Sequence, residues 1–337
     1  MYEPNLIPLH KLFHRWHVTT QDLLFTHLRR VWSDNIPRIM VDLGCHSGHT
    51  IHYNTSDAHL WTRHFKYPGG SVLGVEIFED FVLDFSYRFK QEYYKNLKLN
   101  VYGVNARIGN RNLQAVNVAH MNKQWINCCK NAPRHCPFVI KKGTYCAITR
   151  ERFGKRPGNW GDGSSIVGVN TTIPPTTFPT YYKNHKNNYY IRQTTIDSLL
   201  SEYFPKKEVD FLKIDIDTVW QNTGMTNTIQ QGLARVIVME VDANWGRLSK
   251  DNITNVDRLI AIAELYDVFL KVPCKSVSYK EGHWYRPLHK DIPEHFFSHR
   301  WRFIQDLLLL RRDAVDVKKM QVLGYLSCTN TKPLEWL

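Results

Sequence analysis

The sequence predicts an α/β protein built on a doubly wound, mostly parallel sheet. Three observations point that way. Short apolar runs of strand length alternate with helical periodicities along most of the chain. Four of those runs end in acids, at Asp42, Glu76, Asp215 with Asp217, and Glu240 with Asp242. The first run passes directly into a glycine-punctuated turn, Ile39-Met40-Val41-Asp42-Leu43-Gly44-Cys45-His46-Ser47-Gly48. In a doubly wound sheet the carboxyl ends of the strands share one edge, where ligands bind. These acids should therefore converge although they lie far apart in the chain.

Taken in order, residues 1–36 carry Leu9, Leu12, Phe13 and Trp16, then Leu23, Leu24, Leu28 and Val31, at helical spacing. They predict a helical cap before a strand over 37–43. Pro68-Gly69-Gly70 is a turn leading to a second strand over 71–76. An aromatic-rich helix with Phe78, Phe81, Phe85 and Phe89 follows, then a third strand over 97–106, a turn at 108–112 and a further strand over 113–118. After a long irregular stretch, order resumes with a short strand and a helix start at 193–200. Asp197 there is read as a helix cap. A buried strand over 209–217, a helix over 220–232, a strand over 235–242, a helix over 259–266 and a strand over 267–272 complete the alternation. The tail from 275 is aromatic and basic and predicts one amphipathic helix over 300–312. The expected organisation is a cap over 1–36, one domain over 37–274 interrupted by an insert over 119–192, and an extension over 275–337.

At 337 residues and 43% hydrophobic, the chain can bury a substantial core. Its formal charge of +13 is concentrated. Residues 119–192 hold twelve Lys or Arg against Glu151 and Asp162, a surplus of ten positive charges. An anionic partner over that segment is the natural inference, and its tyrosines, Tyr181, Tyr182, Tyr189 and Tyr190, also suit stacking on nucleic acid bases. No apolar run reaches membrane-spanning length, and Met1-Tyr2-Glu3-Pro4 lacks a signal-peptide pattern, so a cytoplasmic, soluble chain is expected. Seven cysteines, an odd number, do not suggest a disulfide framework. Neither the histidines around His46 nor the cysteines between Cys128 and Cys146 have the spacing of a zinc set.

The ligand chemistry starts from the first turn. It lacks the three glycines of the dinucleotide fingerprint. Asp42-x-Gly44-x-x-x-Gly48 fits better the looser turn of S-adenosylmethionine (SAM) methyltransferases. Glycines let backbone approach a ligand, and an acid after the second strand, here Glu76, can hold ribose hydroxyls.

A wider pattern then emerges. Thr195-Ile196-Asp197-Ser198-Leu199-Leu200, Asp210-Phe211-Leu212-Lys213-Ile214-Asp215-Ile216-Asp217 and Val238-Met239-Glu240 resemble the FkbM family of SAM-dependent O-methyltransferases. Val41-Asp42-Leu43-Gly44 with Gly48, Val75-Glu76, Asn96 to Asn100, Asn105 to Gly109 and Gly163-Ser164-Ser165 fit the same family in order, over about residues 37–245. The resemblance implies a Rossmann-like methyltransferase fold and methyl transfer to a hydroxyl, often of a sugar. It places Asp42, Gly44, His46, Gly48, Glu76, Asn105, Ala106 and Ser165 around SAM, with Asn105 and Ala106 beside adenine. Asp215 becomes the candidate base, with Lys213 and Glu240 as further catalytic candidates. Alternatively, Asp215 with Glu240 or Asp242 could hold Mg²⁺. The sequence departs from the family after Asp217, where its glycine is absent and Trp220 replaces its last acid. Three readings stay open: an O-methyltransferase of an anionic or nucleotide-linked carbohydrate, an RNA methyltransferase using the insert, and a binding module on a degenerate methyltransferase fold.

Overall fold

The computed structural model describes residues 20–45, 57–77, 82, 85–86, 89, 97–119, 138–140, 143–145, 166–168, 188–216, 218–241, 253–273, 283–287 and 305–322. The first strands are β1 (Ile39–Leu43), β2 (Ser71–Glu76), β3 (Asn100–Asn105), β4 (Arg107–Ile108) and β5 (Leu113–Ala119). Next come β6 (Phe138–Ile140), β7 (Gly143–Tyr145), β8 (Ile166–Gly168), β9 (Asn188–Thr194) and β10 (Val209–Ile214). The last are β11 (Ala234–Val241), β12 (Tyr266–Pro273), β13 (His283–Pro287) and β14 (Gln305–Arg311). The helices are α1 (Thr20–Val31), α2 (Asp57–His64), α3 (Ile196–Tyr203), α4 (Thr226–Gln230), α5 (Asn255–Ile262) and α6 (Val317–Val322).

Among the described residues the main sheet has the order β13-β12-β14-β11-β10-β1-β2-β3. β3, β2, β1, β10 and β11 run parallel. β14 is antiparallel to both β11 and β12, so β12 points the same way as β11. A dinucleotide-binding sheet has the order 3-2-1-4-5-6. Here one antiparallel strand is wedged between the fifth and sixth parallel strands. The result is the mostly parallel, doubly wound sheet expected of a Rossmann-like methyltransferase fold.

The wedged strand corrects the amphipathic helix expected over 300–312. Leu307 to Leu310 are all fully buried, and they alternate between two cores. Leu307 and Leu309 join Val41, Leu212, Ile237 and Leu199 on one face of the sheet. Leu308 and Leu310 join Met40, Phe211, Val236 and Phe25 on the other. A run of four leucines cannot be assigned by periodicity alone. The deciding fact is the slot between β11 and β12, covered on both faces.

Two other elements differ from expectation. The helix over 220–232 is a 3₁₀ turn, Trp220–Asn222, followed by α4, with Gly224 at φ +61° between them. The helix over 259–266 lies earlier as α5, because Thr254 and Asp257 form a capping box. Tyr266 instead begins β12. Within residues 119–192, β6 and β7 pair antiparallel, while β8 and β9 join β4 and β5 from before that stretch in a second sheet of order β4-β9-β5-β8. The rest of the insert lies outside the described residues. Asp197 is a cap, although not of its own helix. Thr195 caps α3, whereas the Asp197 carboxylate accepts from the Asn227 and Thr228 amides at 3.1 and 2.8 Å and so caps α4.

The amino-terminal edge of the sheet is closed by charge. Arg38, 2% exposed, donates to Asp210 at 2.7 Å and lies over the Trp32 ring at 4.6 Å. Asp210 also accepts the Ile39 amide at 2.8 Å and faces Arg235 at 3.3 Å. Leaving one member of such a buried pair unmatched costs about 3–5 kcal/mol. That edge is committed to structure, which leaves the carboxyl edge for ligands. No helix among the described residues is long and apolar enough to cross a membrane.

Candidate cofactor and active site

β1 has β2 on one side and β10 on the other, and the chain departs in opposite directions from this pair. The crevice between β1 and β10 is therefore the topological switch point, where ligands bind in such sheets. Asp42 pairs in register with Lys213, and Leu43 with Ile214. Gly44 and Asp215 follow immediately. Gly44 has φ +80°, and a Cβ there would sit 1.9 Å from the Asp215 carbonyl oxygen. The Asp215 amide donates to Leu43 O at 3.0 Å, and the Gly44 and Cys45 amides to Val75 O at 2.9 and 3.2 Å. The lack of a side chain at Gly44 is thus accounted for by the neighbouring strand's backbone, before any ligand is considered.

Directly beneath lies a charge cluster. Lys213 Nζ is 2.9 Å from Asp57 Oδ2 and 2.9 Å from Asp215 Oδ2. It is 3.7 Å from Asp42 Oδ1, beyond hydrogen-bond length. Asp42 is 1% exposed, and its Oδ1 has no hydrogen-bond partner among the described residues. Burial pushes the Asp42 carboxyl up to about 6; Lys213 opposes this, while Asp57 and Asp215 add to it. Burial also works against the Lys213 ammonium, but Asp215, Asp57 and Asp42 outweigh it and hold its pKa well above the usual amine value. Lys213 is therefore a fixed cation and not a proton acceptor. Burial, then Asp42 and Glu76, push the Cys45 thiol well up, which removes it as a nucleophile.

A raised carboxylate pKa means that the folded chain holds the proton more tightly than the unfolded chain. Stability from Asp42 is then present below about pH 4 and is lost as pH rises through about 6. Ionised Asp42 is a burden at neutral pH, at most about 3 kcal/mol. Asp42→Asn is expected to raise the melting temperature near pH 8 and to flatten its slope between pH 4 and 6, while weakening ligand binding at this site. Thermal melts across pH check this; a lower melting temperature near pH 8 would refute it.

The adjacent strand ends complete the edge. Glu76 closes β2 and pairs in register with Asn105 at the end of β3. Asn105 Nδ2 donates to the Glu76 and Ile77 carbonyls at 3.1 and 2.9 Å, and the Ala106 amide donates to Glu76 O at 3.2 Å. Asn105 and Ala106 thus pin the end of β2. Glu240 lies one residue beyond Met239, which pairs with Ile214, so it neighbours Asp215. Asp42, Gly44, Glu76, Asn105, Ala106, Lys213, Asp215 and Glu240 all occupy one edge. His46, Gly48, Ser165, Asp217 and Asp242 lie outside the described residues. Asp57 was missed because it sits at a helix start and not at a strand end; an acid opening the periodic run Asp57-Ala58-His59-Leu60-Trp61 was the only signal.

An ammonium already holds Asp215 Oδ2 at 2.9 Å, and a dication would have to share that carboxylate with it. Among the described residues no three acidic, histidine or cysteine side chains are grouped to hold a metal. Trp220 is 7% exposed and donates its indole N–H to Asn255 O at 2.9 Å, so it is part of the core.

No protein-family model matches the chain, and no curated protein matches it. Among solved structures it is similar to a human methyltransferase 10 domain containing protein, at 9% identity and a TM-score of 0.33, over 87% of this chain and 82% of that one. It is similar to the N-terminal domain of human METTL16, at 10% identity and a TM-score of 0.30, over 92% and 72%. An O-methyltransferase from Bacillus cereus in complex with SAH gives 10% identity and a TM-score of 0.29, over 91% and 93%. At these values the likenesses carry no weight for activity. The fold is read from its sheet order, and the site from its residues.

Proposed function

We propose that this chain is a SAM-dependent methyltransferase that methylates a hydroxyl of an anionic or nucleotide-linked carbohydrate, as a divergent relative of the FkbM family. The observation that carries the reading is Asp42, a buried carboxylate at the switch point whose Oδ1 has no hydrogen-bond partner among the described residues and lies 3.7 Å from Lys213. A buried acceptor left unmatched is costly, so a donor from a ligand is favoured there. Three carboxylates surround one ammonium, and the surplus favours a cationic donor such as the amino group of SAM. Glu76, half-buried at the next strand end, is assigned to the ribose hydroxyls.

When bound, SAM supplies an electrophilic methyl group on a sulfonium. The chain's own work is positioning and proton removal. Asp215 has the most exposed side chain of the three carboxylates on Lys213, at 44%, and is assigned to accept the proton of the acceptor hydroxyl. Lys213 holds that carboxylate in place. No step is routed through Mg²⁺.

Calorimetry with SAM tests the assignment. Glu76→Ala is expected to bind at least about tenfold more weakly than wild type, the loss of one charged hydrogen bond. Equal binding would remove the ribose role, and no binding by wild type would remove the methyltransferase reading. Methyl transfer to fractionated glycans is expected to persist in excess EDTA. The second reading, a binding module without turnover, is supported by Trp220, a core residue where the FkbM resemblance would put an acid. Methyl transfer to any glycan fraction would exclude it.

A further inference from the structure

Arg107 begins β4 of the second sheet, two residues beyond Asn105, which ends β3 beside Glu76 on the carboxyl edge of the main sheet. It is half-buried, and among the described residues no carboxylate pairs with it. Burial alone lowers its pKa, without compensation from any acid. Even a half-buried cation is disfavoured without a counter-ion, so an anionic partner is favoured there.

The guanidinium is also aimed. Its Nη1 donates to Gln193 Oε1, on the residue paired with it across β4 and β9. Gln193 is 4% exposed, and its own Nε2 donates to Arg111 O at 2.8 Å, which fixes the amide so that its oxygen faces Arg107. Gly109 makes room for it, since a Cβ there would lie 2.3 Å from Gln193 Cδ. Among the described residues one of the five guanidinium N–H groups is engaged, which leaves donors for a ligand. The neighbouring cation Arg192 is matched by Glu202 at 3.3 Å, whereas Arg107 is not matched by any described acid. Charge is therefore segregated along the edge: carboxylates gather at β1 and β10, and an unmatched cation stands beyond β3.

We propose that Arg107 binds an oxyanion, the carboxylate or phosphate of the acceptor, and so selects acidic acceptors. A planar fork of N–H donors suits both groups. This inference rests on the methyltransferase reading for the word acceptor, but the anion site itself does not.

Titration with inorganic phosphate and, separately, with glucuronate tests it, each with and without S-adenosylhomocysteine (SAH), on wild type, Arg107→Gln, Arg107→Lys and Gln193→Met. Wild type is expected to bind at least one of the two anions, and the one that binds identifies the source. Arg107→Gln should weaken that binding at least about tenfold, the loss of a charged bidentate contact. Arg107→Lys and Gln193→Met should fall between, and SAH affinity should be unchanged throughout. If neither anion binds wild type, or binding is equal in Arg107→Gln, the proposal fails. It also fails if Arg107→Gln lowers SAH affinity in parallel, since Arg107 would then serve the methyl donor. A wild-type chain that binds an anion through Arg107 but does not bind SAH keeps the anion site and overturns the methyltransferase reading.

Discussion

Lys213→Met is expected to destabilise the chain by about 3–5 kcal/mol near pH 8 and to abolish SAM binding. The side chain is only 15% exposed and lies within reach of three carboxylates, two of them at 2.9 Å. Without it, Asp42, Asp57 and Asp215 repel one another across a site that burial already makes unfavourable for charge. Asp42 would then hold its proton to still higher pH in the folded chain than in the unfolded one. The sign follows: the variant should lie nearest to wild type in acid and fall away as pH rises. Melts from pH 5 to 8, with SAM calorimetry at the upper end, read both effects. Adding Asp42→Asn to Lys213→Met should return part of the stability but none of the binding. A single variant that melts like wild type near pH 8 would show that the ammonium is not what holds the cluster.

Gly44→Ala is expected to part the ends of β1 and β10, with the loss of SAM binding and of several kcal/mol, well above the roughly 1–2 kcal/mol for a left-handed alanine. Two penalties coincide there. The backbone has φ +80°, and the new Cβ meets the Asp215 carbonyl oxygen at 1.9 Å, which no rotamer change can relieve. Gly69→Ala separates them. It has φ +88°, but its nearest neighbour would be Pro37 Cγ at an ordinary 3.7 Å. The Gly69 variant should show the conformational penalty alone and keep SAM binding. If both variants melt alike, the close approach at the switch point contributes nothing.

The parallel strands were legible because their apolar runs are bounded by turns and acids; Val209 to Ile214 needs no long-range knowledge to read as a buried strand. The convergence of Asp42, Glu76 and Asp215 followed from the topology that those runs imply. What stayed hidden depends on partners remote in sequence. Leu307 to Leu310 are a strand only because β11 and β12 leave a slot for them. Gly44 answers to a carbonyl at Asp215, and Asp57 matters only because α2 brings it to Lys213. That the Asn105 amide holds the end of β2 is likewise visible only once β2 and β3 are paired.

The lateness of β14 has a consequence for synthesis. β11 and β12 are both synthesised before residues 305–311, and neither can pair with β14, the neighbour they share, until then. During that interval the nascent chain offers two open strand edges, each a template for wrong pairing with its twin or with another polypeptide. A long-range pairing of this kind is also slow to form. Chaperone dependence during translation, more than final stability, should therefore govern how much of this protein a cell recovers.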